Sequence, residues 1–115
     1  MDKIDKLIDR FIKETVLNYE ALEKGDYKKG NKAIKIINKL FDELKDAGEE
    51  GREALLSLTD NEREEVRLMA SVYSLKYNSK RSLATLKKLT KNSGILGLEA
   101  QQAIENYNSG NWGIE

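Results

Sequence analysis

The chain of 115 residues has no cysteine, no histidine and no proline. Without cysteine there is no disulfide framework, no thiolate zinc site and no thiol nucleophile. Without histidine there is no Ser-His triad, no imidazole general base and no His-ligated metal. Long apolar runs are missing too, and nothing approaches the ~20 residues that cross a bilayer. The opening Met1-Asp2-Lys3-Ile4 is charged and amphipathic, unlike the basic-then-apolar pattern of a secretory signal. The expectation is a cytoplasmic protein with no membrane partner.

What is present is charge and helical periodicity. Charged residues make up 35% of the chain, against roughly 25% in an average domain. Hydrophobic residues, at 39%, suffice for one core, and the length suits a single domain. The missing proline and the eight glycines favour helices with short joints. Ile4, Leu7, Ile8, Phe11, Ile12, Thr15, Tyr19 and Leu22 form one stripe, which predicts a helix over 2–24. Gly25-Asp26 ends it and offers Asp26 as the next N-cap. The period resumes through Tyr27, Ile34, Ile37, Leu40, Phe41 and Leu44 to Gly48, with Gly30 and Asn31 expected to fray or kink its start.

A short helix over about 50–58 carries Leu55, Leu56 and Leu58, and Thr59-Asp60-Asn61 forms the following turn. The next helix, about 62–77, is apolar almost all round: Val66, Met69, Ala70, Tyr73 and Tyr77 on one side, Leu68, Val72 and Leu75 on another. Such a helix belongs at the centre of a fold. Ser79 can cap a fifth helix over about 80–91 with Leu83, Leu86 and Leu89 as its inner face, and Asn92-Ser93-Gly94 leads to a sixth over about 95–108 that shows Leu98, Ala100, Ala103, Ile104 and Tyr107. Phe11, Tyr19, Phe41, Tyr73 and Tyr107 read as core, and Tyr27 as a cover over a helix start.

There is also an internal repeat. Leu55, Leu58, Thr59 and Asn61 recur 31 residues later as Leu86, Leu89, Thr90 and Asn92. Two helix–turn–helix units that each need a neighbour to cover an apolar face follow the logic of an α-solenoid. The stretch Leu55-Leu56-x-Leu58-Thr59-Asp60, followed by Val66-Arg67-x-x-Ala70, resembles a HEAT repeat. The resemblance implies that Arg67 contacts the turn acid Asp60, with Val66 and Ala70 packing the second helix. The later copy has Gly97-Leu98 where Val-Arg would stand. Together with Ser82-Leu83-Ala84-x-Leu86-x-x-Leu89 and Gly97-Leu98-Glu99-Ala100, the chain resembles a family of short bacterial HEAT-like domains of unknown function. Proteins of that kind are similar to immunity proteins of polymorphic toxin systems.

The formal net charge of zero hides segregation. Residues 1–41 carry about +3, 42–65 about −7, 67–91 about +7 and the remainder about −3 by count. Solvated helix faces account for this, since acids such as Glu62, Glu64 and Glu65 suit a helix N-terminus. The alternative is an acidic docking face for a basic protein, formed by Asp46, Glu49, Glu50, Glu53, Asp60, Glu62, Glu64 and Glu65, because matched charge speeds and selects association. The basic run 76–91 invites a nucleic-acid reading, but a pI near 6.4 and the absence of any reading motif argue against it. Trp112, in the polar tail, either plugs the open end of the array or anchors an interface.

Catalysis has no visible machinery. The carboxylate pairs Glu49/Glu53 and Asp42/Asp46 lack apolar flanks that would raise a pKa. No calcium-loop spacing occurs, and Gly94-x-x-Gly97 lacks the features of a phosphate loop. It serves instead to start the sixth helix and let it pack closely. The expectation is therefore an all-α, single-domain, right-handed stack of about six helices. It divides into a helical pair (1–48), a HEAT-like repeat (49–77), a degenerate repeat (79–108) and a tail (109–115). The expected function is non-catalytic protein binding by a monomer or weak homodimer without cofactor or metal, the partner being a cognate toxin. A nucleic-acid binder or a homo-oligomeric scaffold are the alternatives.

Overall fold

The computed structural model describes residues 2–110. The fold is all-α, with six α-helices and no strand among the described residues. The helices are α1 (Lys3–Glu23), α2 (Tyr27–Asp46), α3 (Glu49–Ser57), α4 (Glu64–Ser74), α5 (Ser79–Leu89) and α6 (Ile95–Asn108), with a 3-10 turn at Leu58–Asp60 between α3 and α4. They form two compact units that divide between Leu55 and Leu56.

In the first unit α1 and α2 pack along each other as a hairpin. Asp2 and Asp26 cap their N-termini, accepting from the Asp5 and Lys29 amides at 2.9 and 3.1 Å, so two orphan helix donors are satisfied, the second as the sequence predicted. Gly25 adopts a φ of 73°, the left-handed geometry that lets the chain leave one helix for the next. Phe11, Ile37, Leu40 and Leu44 are fully buried between the stripes. The expected kink at Gly30 and Asn31 is absent: α2 runs unbroken. Gly30 is buried, and its carbonyl accepts a 3.0 Å hydrogen bond from Asn18 Nδ2 of α1. The glycine marks a helix contact, not a weak first turn.

In the second unit α4 packs against the 3-10 turn, α5 and α6, and α5 also packs on α6. No residue from Glu65 to Leu75 is exposed. Val66, Ala70 and Leu75 have no measurable exposure, and Leu68 and Tyr73 very little. The all-round apolar pattern did mark a central helix, although it spans Glu64–Ser74 and not 62–77. Ser71, Ser74 and Ser82 are completely buried as well. Their hydroxyls have no hydrogen-bond partner among the described residues, which costs free energy but keeps side chains small where helices meet. Asn78, not Ser79, caps α5, accepting from the Arg81 amide at 3.1 Å. Tyr27, expected to cover a helix start, is 67% exposed.

Two glycines make opposite demands. A methyl group at Gly30 would meet Leu22, Asn18 and Ala21 side chains at ordinary contact distances of 3.5 to 3.8 Å, whereas one at Gly97 would overlap the backbone carbonyl of Asn92. Gly30→Ala should therefore raise stability by about 0.5–1 kcal/mol through helix propensity. Gly97→Ala should lower it by about 1–3 kcal/mol through overpacking. Urea unfolding midpoints at constant slope would measure both.

Candidate functional site

The 31-residue repeat appears in the structure as the same three hydrogen bonds in two turns. Thr59 Oγ1 donates to the Leu56 carbonyl at 2.8 Å, and Thr90 Oγ1 to the Lys87 carbonyl at 2.6 Å. Asn61 Oδ1 accepts from the Arg63 amide at 2.9 Å, and Asn92 Oδ1 from the Gly94 amide at 3.0 Å. The Asn61 and Asn92 amides each donate three residues back, to Leu58 and Leu89, at 3.0 Å. Threonine closes the outgoing helix and asparagine opens the next, by local bonds both residue types favour. The two copies diverge just after the turn. Val66 and Arg67 have Gly97 and Leu98 as counterparts; Gly97 lets the Asn92 carbonyl approach the helix backbone, and Leu98 stands 73% exposed.

The turn acid has a different partner from the one the HEAT resemblance implies. Asp60 Oδ2 pairs with Arg81 Nη2 at 2.6 Å, and Arg81 Nε donates to Thr59 Oγ1 at 2.9 Å. Arg67 instead donates from Nη1 to the backbone carbonyls of Asn61 (2.7 Å) and Glu62 (3.2 Å). The reason is reach: Arg81 comes from α5 to lie across the turn, while Arg67 sits one helical turn above the loop and meets its carbonyls first. Sequence reasoning missed Arg81 because its partner lies 21 residues away and no local periodicity encodes such a pair.

The acidic residues singled out by sequence fall into two groups with different surroundings. In the second unit, Asp60 is held by Arg81, Glu64 Oε2 accepts from Asn92 Nδ2 at 2.9 Å, and Glu65 lies 3.6 Å from Arg63. Glu62 is exposed. Three of these four acids are thus engaged within their own unit. In the first unit, Asp46, Glu49, Glu50 and Glu53 all face solvent, as do Asp42 and Glu43. Lys45 reaches Asp42 at 3.5 Å and lies 5.1 Å from the centre of the Phe41 ring. Of the basic run, Lys76, Lys80, Lys87, Lys88 and Lys91 are exposed, whereas Arg81 is committed to the turn. Trp112 lies outside the described residues.

No group of three or more potential ligands that could hold a metal ion occurs among the described residues. No described helix is long and apolar enough to cross a membrane. Glu99, half-buried on α6, has its carboxyl pushed above the usual carboxylate range by loss of water.

These contacts set measurable consequences. Arg81 and Asp60 are 40% and 80% exposed, so their double-mutant coupling should be about 0.2–1 kcal/mol, and that of Asp60 with Arg67 near zero. Arg81→Ala should cost more than Asp60→Ala, since Thr59 also loses its donor. Folding raises the Glu99 pKa above its unfolded value, so the native state binds the proton more tightly. Stability attributable to Glu99 should therefore fall as pH rises from about 4.5 through the raised native value. Glu99→Gln should stabilise the protein at neutral pH and converge with wild type in acid, as read by urea midpoints across pH.

Comparison with known proteins places this geometry. The crystal structure of the protein RPA1889 from Rhodopseudomonas palustris CGA009 is similar to this chain with a TM-score of 0.87 and 23% sequence identity, over 98% of this chain and 94% of that one. At that identity the likeness speaks for the fold alone. No curated protein matches the chain. A family model described as "Domain of unknown function (DUF2019)" matches residues 5–108, and the chain belongs to that family.

Proposed function

We propose that this chain is a non-catalytic protein-binding domain, an immunity protein that binds and neutralises a cognate bacterial toxin. The observation that carries the reading is the concentration of exposed acids at the end of α2 and along α3: Asp46, Glu49, Glu50 and Glu53. Acids that merely complete the fold are engaged as Asp60, Glu64 and Glu65 are. Acids left in water are available to a basic partner, raising its association rate and rejecting partners of like charge. Occlusion of a toxin needs shape and charge complementarity and no bond chemistry, which suits a chain without histidine or cysteine. An interface of about 1,200–2,000 Å² in total is typical of such complexes. The resemblance to immunity proteins stated above supplies the partner class.

A second reading keeps the nucleic-acid option, because Lys80 and Lys87, seven residues apart, lie exposed on one face of α5 with no acid on that helix. It predicts oligonucleotide binding that falls steeply with salt.

The test is co-expression with the product of the adjacent gene. The protein should co-purify with that product and protect cells from it, and Glu49→Lys, Glu50→Lys and Glu53→Lys together should slow association at least about tenfold and weaken protection. Unchanged protection by the folded triple variant would remove the acidic face from the mechanism. Toxicity that the wild-type chain fails to relieve would remove the immunity role.

A further inference from the structure

A second surface, of opposite charge, lies on the first unit. Between α1 and α2 runs an open groove of about 320 Å³ with Leu17 and Ala21 on one side and Ala33 and Ile36 on the other. Leu17 is 45% exposed, an apolar side chain left in water at the groove wall. The α2 wall carries Lys29 and Lys32, with Lys24 and the cap residue Asp26 at its end, and α2 continues the positive charge outward through Lys28, Lys35 and Lys39, all exposed. Residues 27–41 contain no acid, and none of the ion pairs found among the described residues involves these lysines.

Helix stability does not explain this placement. The first turn of a helix favours acids, because its free amides give a partial positive end, yet beyond the cap residue Asp26 the first turn of α2 has Lys28 and Lys29 and no acid. The opposite wall differs: α1 lines the groove with Glu14 and Glu20. Glu14 Oε2 is sealed from water with no hydrogen-bond partner among the described residues. A nucleic-acid backbone would engage the lysines but leave the apolar floor unused. Apolar floor, basic flank and acidic far wall together have the anatomy of a protein interface, an apolar centre inside a polar rim.

We propose that this groove docks an acidic polypeptide segment of a partner protein, which inserts an apolar side chain over Leu17 and Ile36 while its carboxylates lie along Lys28, Lys32, Lys35 and Lys39. The four lysines repeat at helical spacing, i, i+4, i+7 and i+11, on one face of α2, so the segment runs along that helix. This surface does not depend on the acidic one, and the two are separated by their variants.

The probe is a short fluorescein-labelled peptide of Glu-Glu-Leu repeats, followed by anisotropy at low salt. Its serine-for-leucine counterpart and an oligothymidylate of equal charge serve as comparisons. The leucine peptide should bind, and both comparisons should bind at least about tenfold more weakly, the scale of an interface anchor. Leu17→Glu should abolish the advantage of leucine over serine, and Lys32→Glu with Lys35→Glu should weaken binding about tenfold, with helical content and unfolding midpoint retained. Glu49→Lys with Glu50→Lys should not weaken it. Failure of the leucine peptide to bind, equal binding of the serine peptide or the oligothymidylate, or indifference to Leu17→Glu and to the lysine pair would each overturn the proposal.

Discussion

Much of the second unit depends on the burial of α4. A helix with no exposed residue from Glu65 to Leu75 can exist only if neighbours cover every side of it, because its apolar surface has no stable alternative in water. The 3-10 turn, α5 and α6 do this, and the cost appears in residue choice. Ser71, Ser74 and Ser82 are tolerated with hydroxyls that have no partner among the described residues because bulkier side chains would hold the helices apart. Gly97 serves the same end on α6, where even a methyl group would strike the Asn92 carbonyl. Close packing thus governs small residues and large ones alike.

The turns translate that packing into electrostatics. Thr59 and Asn61 shape one corner and Thr90 and Asn92 the other by the same local bonds, and each corner recruits a longer contact. Arg81 reaches the first turn, and Asn92 of the second reaches Glu64 at the start of α4. These contacts engage charges that a count along the chain would assign to a partner. What remains exposed along α2 is separated by sign, lysines in its first four turns and acids at its end, an order that runs against the helix dipole. Charge that does not serve the helix is free to serve recognition.

Several features were legible from sequence because their causes are local. The stripe from Ile4 to Leu22, the Asp26 cap, the sixth helix at 95–108 and the centrality of the Val66–Leu75 segment all follow from periodicity and capping chemistry acting within a few residues. The repeat was legible for the same reason: Leu-x-x-Leu-Thr-x-Asn builds its turn from bonds spanning two or three positions. The groove was not, since its walls come from residues that α1 and α2 bring together only on pairing, and Leu17 lies off the apolar stripe that marks the core.

The amino-acid sequence by itself determined the order of the helices, the Asp26 cap and the shape of both corners, because those depend on interactions between residues close along the chain. Only the tertiary structure decided that Asp60 pairs with Arg81 and not Arg67, that Gly30 is a contact and not a break, and which acids stay in water. Each of those outcomes depends on which side chain first comes within hydrogen-bonding or van der Waals distance when separate helices pack. That order is set by three-dimensional reach, which spacing along one helix does not encode.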